Sequence, residues 1–247
     1  MSSATAVDRI KPELVEEVVG SARTLWDLEL TSGLDAGDTS LRDPETGYIY
    51  ILPRPRRDRP IANWSEVDAD YIAVIDGGGT KVGGRNVEPT VEVQTHLGIY
   101  AARSDVNVIV HTHGEWSQIF SVMRWDIPTF TSETFLVGGL GSIKCAPTGG
   151  VATDECARQA VDALGQRSMA ALLPSHGAVC VGTTFADAFH VARMVERAAR
   201  QATFIRLLGG APQLTLEDLM SPESYEQLRV AADAAGESME AMLSRSL

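Results

Sequence analysis

The sequence has few cysteines and no long apolar segment, and both absences limit what the chain can be. Its three cysteines, Cys145, Cys156 and Cys180, are scattered, with no Cys-x-x-Cys pair. An odd set of this kind does not build the disulfide framework of a small secreted domain. No apolar run reaches the roughly 18 residues that a membrane-spanning helix needs, and the opening residues lack the apolar core of a signal peptide. These absences predict a soluble cytoplasmic protein with no membrane partner.

Positive charge is also scarce. Lys and Arg number 21 against 33 Asp and Glu, which gives a formal net charge of −12. Binding to a phosphate backbone needs clustered Lys and Arg, so nucleic acid is not an expected partner. The chain of 247 residues is 44% hydrophobic and 22% charged, which is typical of a globular protein with a real core. We predict a single domain over residues 1–247, with a flexible N-terminal segment over residues 1–10.

Hydrophobic periodicity alternates between the helical and the strand pattern along the chain, without an internal repeat. This alternation predicts an α/β fold. Helices are expected over residues 11–30, 89–103, 116–123, 154–164, 184–208 and 222–242, and a loop over 31–40. Strands are expected over residues 48–52, 71–75 and 106–110, and over 169–181 as one strand that is interrupted at 174–177. The Gly-rich residues 76–80 lack the ending of a phosphate-binding loop and predict a hairpin turn.

Histidine is the third scarce residue, and four of the five histidines fall in suggestive positions. His111 and His113 follow an apolar strand, and residues two apart on a strand project from the same face. Two imidazoles placed together suit a borderline divalent cation such as Zn²⁺, although two structural histidines would give the same pattern. His176 lies at the break in the strand predicted over 169–181 and is a third candidate ligand. Three histidines with an open fourth position are typical of a catalytic metal site.

Two charged groups are candidates for chemistry near these histidines. Glu92 and His96 are four residues apart on a predicted helix and therefore share a face. They could be an ordinary surface pair, or Glu92 could be a general acid/base whose pKa partial burial raises toward neutrality. Arg54 is the first arginine of a stretch rich in Pro and Arg over residues 53–60. That stretch is either a solvated loop or a site that holds a substrate carboxylate.

Four motifs resemble the class II aldolase/adducin-like family, which includes sugar-phosphate aldolases and epimerases. Residues 88–92 read Glu-Pro-Thr-Val-Glu, and residues 96–103 read His-Leu-Gly-Ile-Tyr-Ala-Ala-Arg. Residues 105–113 read Asp-Val-Asn-Val-Ile-Val-His-Thr-His, and Ser175-His176-Gly177 follows later. The resemblance implies a three-layer α/β/α sandwich around a mixed central β-sheet. It also implies a homotetramer with active sites at subunit interfaces.

The resemblance further implies which residues carry the chemistry. His111, His113 and His176 would bind the metal, and Glu92 would be the catalytic acid/base. The metal would be Zn²⁺, with Mn²⁺, Fe²⁺ and Co²⁺ as alternatives. In this family a divalent ion polarises substrate oxygens and stabilises the enolate that remains when a C–C bond breaks.

The motifs with which sugar-phosphate members bind phosphate are altered here. The family reads G-N-x-S, T-P-x-G and P-S-S-E, whereas this chain reads Gly-Asp-Thr-Ser at 37–40, Leu-Pro-Arg-Pro at 52–55 and Pro-Thr-Val-Glu at 89–92. Asp38 would repel a phosphate dianion, and Arg54 offers a planar two-pronged donor that suits a carboxylate. We predict that substrate contacts Arg54, Asp38, Thr90, His96 and Glu115.

These observations predict a divalent-metal-dependent lyase. It would cleave a C–C bond, by decarboxylation or retro-aldol cleavage, in a non-phosphorylated hydroxy/keto or hydroxyaromatic acid that bears a carboxylate. Two alternatives remain open. One is an Fe(II)-dependent oxygenase of an aromatic or keto acid on the same scaffold, and the other is a sugar-phosphate aldolase or 4-epimerase. A non-catalytic scaffold is disfavoured because the chain keeps the complete metal-ligand spacing.

Overall fold

A computed structural model describes residues 9–31, 36–54, 61, 63–85, 87–147, 150 and 152–243. Residues 1–8 of the segment predicted to be flexible, and residues 55–60 of the stretch rich in Pro and Arg, lie outside this set. The described helices are α1 (Pro12–Asp27), α2 (Val93–Ala102), α3 (Glu115–Met123), α4 (Ser132–Val137), α5 (Asp154–Leu164), α6 (Phe185–Leu207), α7 (Leu216–Leu219), α8 (Pro222–Ala235) and α9 (Met239–Leu243). No helix among the described residues has the length and apolar character needed to cross a membrane.

One seven-stranded sheet forms the centre of the fold. Its strands are β1 (Asp38–Arg42), β2 (Ile49–Ile51), β3 (Ala73–Ile75), β4 (Lys81–Gly83), β5 (Val108–Thr112), β6 (Ala170–Leu173) and β7 (Gly177–Gly182). The spatial order is β4-β3-β2-β1-β5-β7-β6. Neighbouring strands pair antiparallel, and a bridge between Cys145 and Leu172 adds a parallel pairing. The sheet therefore places β5 and β7 side by side near its middle.

The sheet separates two hydrophobic cores, and alternate residues of each strand belong to opposite cores. Val108 and Val110 of β5 face a core that contains residues of α1, α3 and α6. Ile109 faces the other core, together with residues of α2 and α5. This is the period-two pattern of a strand that is buried on both faces. The predicted α/β/α sandwich is confirmed, with helices on each side of the sheet.

Several local predictions are confirmed by cap geometry. The Thr153 side chain accepts a hydrogen bond from the backbone N–H of Cys156 at the start of α5. Thr184 and Asp187 form the reciprocal capping box of α6. Residues 76–80 connect β3 and β4 as a hairpin turn. Short polar side chains at these positions satisfy the free N–H groups of the first helical turn, which is why sequence located both helix starts.

Four predictions about individual elements are wrong. The loop expected over residues 31–40 ends in β1, whose polar side chains are buried and bonded to other side chains rather than to solvent. The interrupted strand over 169–181 is an antiparallel hairpin of two strands. Helix α2 begins at Val93 rather than at residue 89. The last predicted helix ends at Ala235, because Gly236 takes a left-handed conformation with φ of 68°.

The backbones of β5 and β7 approach closely at Gly177, the first residue of β7, and a substitution there tests this packing. A Cβ atom at this position would lie 1.9 Å from the backbone oxygen of Thr112. Gly177→Ala should therefore lower the free energy of unfolding by about 1–3 kcal/mol through overpacking, measured by urea denaturation. The control is Gly20→Ala on α1, where nothing lies within 4 Å, and that change should stabilise by about 0.5–1 kcal/mol. Equal stability of the Gly177 variant and the wild type would contradict the packing described here.

Candidate active site

Antiparallel pairing of β5 with β7 brings three histidines together. His111 is on β5 and His113 follows this strand directly, whereas His176 lies in the tight turn before β7. Thr112 is paired with Ala178, so the segment containing His111 and His113 lies beside the turn that contains His176. Ser175 has a φ of 56° in this turn. The three imidazoles thus come from two segments that a single strand ladder holds at one end of the sheet.

The ligand atoms of the three rings converge. Nε2 of His113 lies 3.1 Å from Nε2 of His111 and 3.1 Å from Nε2 of His176. One ring nitrogen from each residue falls within 4.8 Å of the other two. Nitrogen ligands at 2.0–2.1 Å in a tetrahedral zinc site are about 3.3 Å apart. The spacing in this cluster is therefore close to that of a metal site.

The protonation of the rings fits the same use. Nδ1 of His111 lies 3.0 Å from the backbone oxygen of Ala178. Because a carbonyl only accepts, Nδ1 carries a proton, and Nε2 is the ring nitrogen that faces His113. Burial, aided by the two neighbouring histidines, lowers the pKa of His113 to about 3, so this ring is neutral near pH 7. A neutral imidazole offers a nitrogen lone pair, and three ring nitrogens that converge in this way suit a divalent cation.

Glu92 lies against this cluster, at the residue immediately before α2. Its Oε1 is 2.7 Å from Nε2 of His176, and its Oε2 is 3.5 Å from Nε2 of His111. Burial acts to raise the pKa of Glu92, but the attraction of His111 and the hydrogen bond with His176 hold it below the ordinary value. The expectation that burial moves this pKa toward neutrality is therefore wrong. An ionised carboxylate at this position is ready to accept a proton.

Asp38 forms a second buried acidic centre beside the histidines. It is paired with His111 in the ladder between β1 and β5, and it is 3% exposed. Its Oδ1 lies 2.7 Å from Nε2 of His96, and the Thr90 hydroxyl donates to its Oδ2 at 2.5 Å. Burial acts to raise the pKa of Asp38, yet His96 outweighs burial and holds the pKa well below its usual range. The cavity wall therefore contains an ionised aspartate that is already bonded on both oxygens.

A cavity of about 150 Å³ brings these groups to one space. Its walls include Asp38, Thr90, Glu92 and the three histidines. His96 is fully buried behind Asp38. Arg54 and Glu115 are exposed and do not form the cavity wall, although Pro53, next to Arg54, does. Of the five predicted substrate contacts, Asp38 and Thr90 thus lie at the cavity itself.

Two residues at the site were missed by sequence reasoning. Trp64 lines the cavity and donates its indole N–H to the backbone oxygen of Ala36. Gln118 of α3 donates to the backbone oxygen of His176 at 2.8 Å. Trp64 lies in a 3₁₀ turn outside any periodic segment, and Gln118 is one polar residue on an amphipathic helix. Neither position carries a local signal in a single sequence.

The geometry defines a class of site: three imidazoles whose ring nitrogens converge and one ionised carboxylate around a small cavity, an arrangement that can hold a divalent cation with a base beside it. Comparisons with known proteins agree with this class. The profile described as Class II Aldolase and Adducin N-terminal domain matches residues 16–203. The chain therefore belongs to the class II aldolase and adducin N-terminal domain family, and it is a class II aldolase-like, metal-dependent lyase.

Individual proteins that are similar to this chain are aldolases. The chain is 34% identical over 184 residues to a 5-methylthioribulose-1-phosphate/5-deoxyribulose-1-phosphate aldolase of Rhodospirillum rubrum, covering 74% of this chain and 77% of the relative. It is 27% identical over 206 residues to a 5-deoxy-D-ribulose 1-phosphate aldolase of Bacillus thuringiensis serovar kurstaki, covering 83% and 91%. A solved L-fuculose 1-phosphate aldolase superposes with a TM-score of 0.75 at 24% identity, covering 85% of this chain and 93% of that one. This last likeness concerns the fold.

Metal content tests the histidine cluster. Purified protein should contain about one divalent ion per chain, measured by plasma emission spectrometry after dialysis. His111→Ala combined with His113→Ala should remove the ion, because one imidazole cannot hold it alone. The control is His190→Ala, which removes an exposed histidine of α6 and should leave the metal content unchanged. Metal retained by the double variant would show that these two rings are not ligands.

Proposed function

We propose that this enzyme cleaves a C–C bond in a non-phosphorylated hydroxy/keto or hydroxyaromatic acid, by decarboxylation or retro-aldol cleavage, and that Zn²⁺ is its metal. The observation that carries the proposal is that the hydroxyl groups of the altered phosphate motifs are hydrogen-bonded to other protein groups. Thr90 donates its only hydroxyl proton to Asp38. Ser40 is bonded to His96 and Tyr100. The described hydroxyl groups at these positions are thus engaged with other protein groups.

Asp38 adds an electrostatic argument against a phosphate group. An ionised carboxylate and a phosphate dianion are both hydrogen-bond acceptors, so no proton lies between them to form a bond. Placing them together in a buried wall adds like-charge repulsion. An asparagine, which the related phosphate-binding motif has at this position, would instead offer an N–H donor. The wall around Asp38 therefore favours a substrate whose hydroxyl group donates to it.

The chain's own residues supply binding and proton transfer. Glu92 is ionised and faces the cavity, so it can accept the proton of a substrate hydroxyl group as the C–C bond breaks. Arg54, beside the wall residue Pro53, supplies a planar donor pair for a substrate carboxylate. A bound divalent cation would supply the Lewis acid that polarises the substrate oxygens and stabilises the electron pair left on carbon.

A sugar-phosphate aldolase is the second candidate function. The names of the relatives support it, because both curated relatives described above are aldolases of sugar phosphates. Their overall identity of 27% and 34% leaves room for a different substrate. The substrates of the two candidates differ in their anionic group, a carboxylate or a phosphate, so a single assay can separate the two functions.

We also propose that the enzyme is a homotetramer with its sites near subunit interfaces. Several large apolar side chains of α3 and the following turn are exposed: Ile119, Val122, Met123 and Trp125. Exposed apolar side chains that cluster in this way mark protein–protein contact surfaces. Light scattering of the purified chain measures the subunit number, and four subunits are expected.

A paired substrate screen tests the proposed function. Metal-loaded enzyme is offered hydroxy-keto acids, hydroxylated aromatic acids and the sugar phosphates named for its relatives, and release of CO₂ or aldehyde is measured with and without chelator. Chelator-sensitive product from the acids alone supports the proposal. Turnover of the sugar phosphates alone establishes the second candidate instead. Oxygen consumption that matches turnover identifies an Fe(II) oxygenase.

Glu92→Gln tests the proposed base. The amide keeps the shape of the side chain but cannot accept a proton, so kcat should fall about 10²–10⁴-fold while the ion remains bound. Metal content and kcat are measured on the same preparation. Full activity of this variant would leave Glu92 with a structural role only.

Asp38→Asn and Arg54→Ala test the substrate class from opposite sides. The asparagine restores an N–H donor, so kcat/KM for a sugar phosphate should rise at least about tenfold.

Arg54→Ala should raise KM for a carboxylate substrate about tenfold with little change in kcat, as expected for the loss of ground-state binding. An unchanged preference in the first variant and an unchanged KM in the second would together remove the support for a carboxylate substrate.

A further inference from the structure

Helix α3, which begins two residues after the ligand His113, is capped by a residue from a distant helix. The carboxylate of Glu196, in the middle of α6, accepts the backbone N–H of Trp116 at 2.9 Å and that of Ser117 at 3.0 Å. The residue at the N-cap position is Gly114, which has no side chain to do this. Free N–H groups at a helix start need acceptors, and a carboxylate is a strong one. Glu196 therefore fixes the start of α3 relative to α6.

Gly114 fits this contact closely. A Cβ atom on Gly114 would lie 2.3 Å from the carboxylate carbon of Glu196, so the contact requires glycine here. On the other side of the turn, the backbone N–H of His113 donates to the oxygen of Leu30 at 2.8 Å. The two residues between β5 and α3 are thus held from both directions. The position of His113 depends on both contacts.

Helix α3 also reaches the third ligand. Gln118 donates to the backbone oxygen of His176 at 2.8 Å, and its Nε2 lies 3.4 Å from Nδ1 of His113. Helix α3 therefore contacts both segments that carry the half-buried ligands His113 and His176. Helix α6 is a firm reference for this arrangement, because its residues Val191 and Val195 are buried in the core shared with β5.

We propose that Glu196 is a positioning residue for the metal centre, acting through the start of α3 on His113 and through Gln118 on His176. The proposal rests on the proposed use of the three histidines as metal ligands. Groups that orient metal ligands without touching the metal commonly change metal affinity 10–100-fold when removed. A residue that only capped a helix would change stability and leave metal affinity as it was.

Metal affinity, measured by competition with a chelator, distinguishes a residue that positions the metal ligands from one that only caps a helix. Glu196→Ala should raise the metal Kd about 10–100-fold, and Glu196→Gln, whose amide oxygen can still accept one N–H, should fall between it and the wild type. The control is Asp187→Ala, which removes one half of the capping box of α6 at the opposite end of β7, beside Gly182. It should lower the thermal midpoint without changing the metal Kd.

Gly114→Ala gives a second route to the same contact if Glu196→Ala does not fold. It displaces the carboxylate without removing it, so it should also raise the metal Kd, and it should add little in the Glu196→Ala background. A wild-type Kd in both single variants overturns the proposal, as does an equal rise in the Asp187 control. Failure of the wild-type protein to bind metal is a different result, because it refutes the metal centre itself.

Discussion

The pairing of β5 with β7 is the contact on which the rest of the site depends. Thr112 lies opposite Ala178, and this register sets which residues of the two segments meet. A shift of one residue would turn His111 away from His176 and reverse every buried side chain of β5. Gly177 permits the approach, because its missing Cβ leaves room for the backbone oxygen of Thr112. The pairing of β5 with β7, in the sheet that lies between the two hydrophobic cores, therefore also brings the three imidazoles together.

A line of buried hydrogen bonds extends this order away from the cavity. It runs from Asp38 to His96, Ser40 and Tyr100, and ends on the backbone oxygen of Asn107. Burial raises the pKa of the Tyr100 hydroxyl, which therefore stays neutral. Polar groups buried in this way are favourable only when each has a partner. The line fixes the orientation of Asp38 before any substrate arrives, which is preorganisation of a binding wall.

The sequence predicted the parts of this site that depend on local pattern. The strand period placed His111 and His113 on one face, and the break in the predicted strand and the helical spacing of Glu92 singled out His176 and Glu92. The resemblance to a family then gave these residues their roles. Sequence patterns did not predict β1, because Asp38 and Ser40 resemble loop residues until their buried hydrogen-bond partners are known. They could not find Gln118 or Glu196, since each acts on a segment 58 or 80 residues away along the chain. Periodicity reports which face of an element is buried, whereas these contacts depend on how elements pack in three dimensions.

The charges around the cavity are compatible with the anionic substrate that we propose for this acidic enzyme. Glu92 and Asp38 are both ionised, and the His113 ring beside them is neutral. The two carboxylates supply −2, and a divalent cation held by the histidines would supply +2, so these charges balance. The proposed substrate with one carboxylate would then meet no net repulsion, and Arg54, next to the wall residue Pro53, would favour it over a neutral molecule. A phosphate dianion brings twice that charge and would meet Asp38 without a donor between them. The same net charge of −12 that disfavours binding to nucleic acid is therefore compatible with a small anionic substrate, because the balance is local.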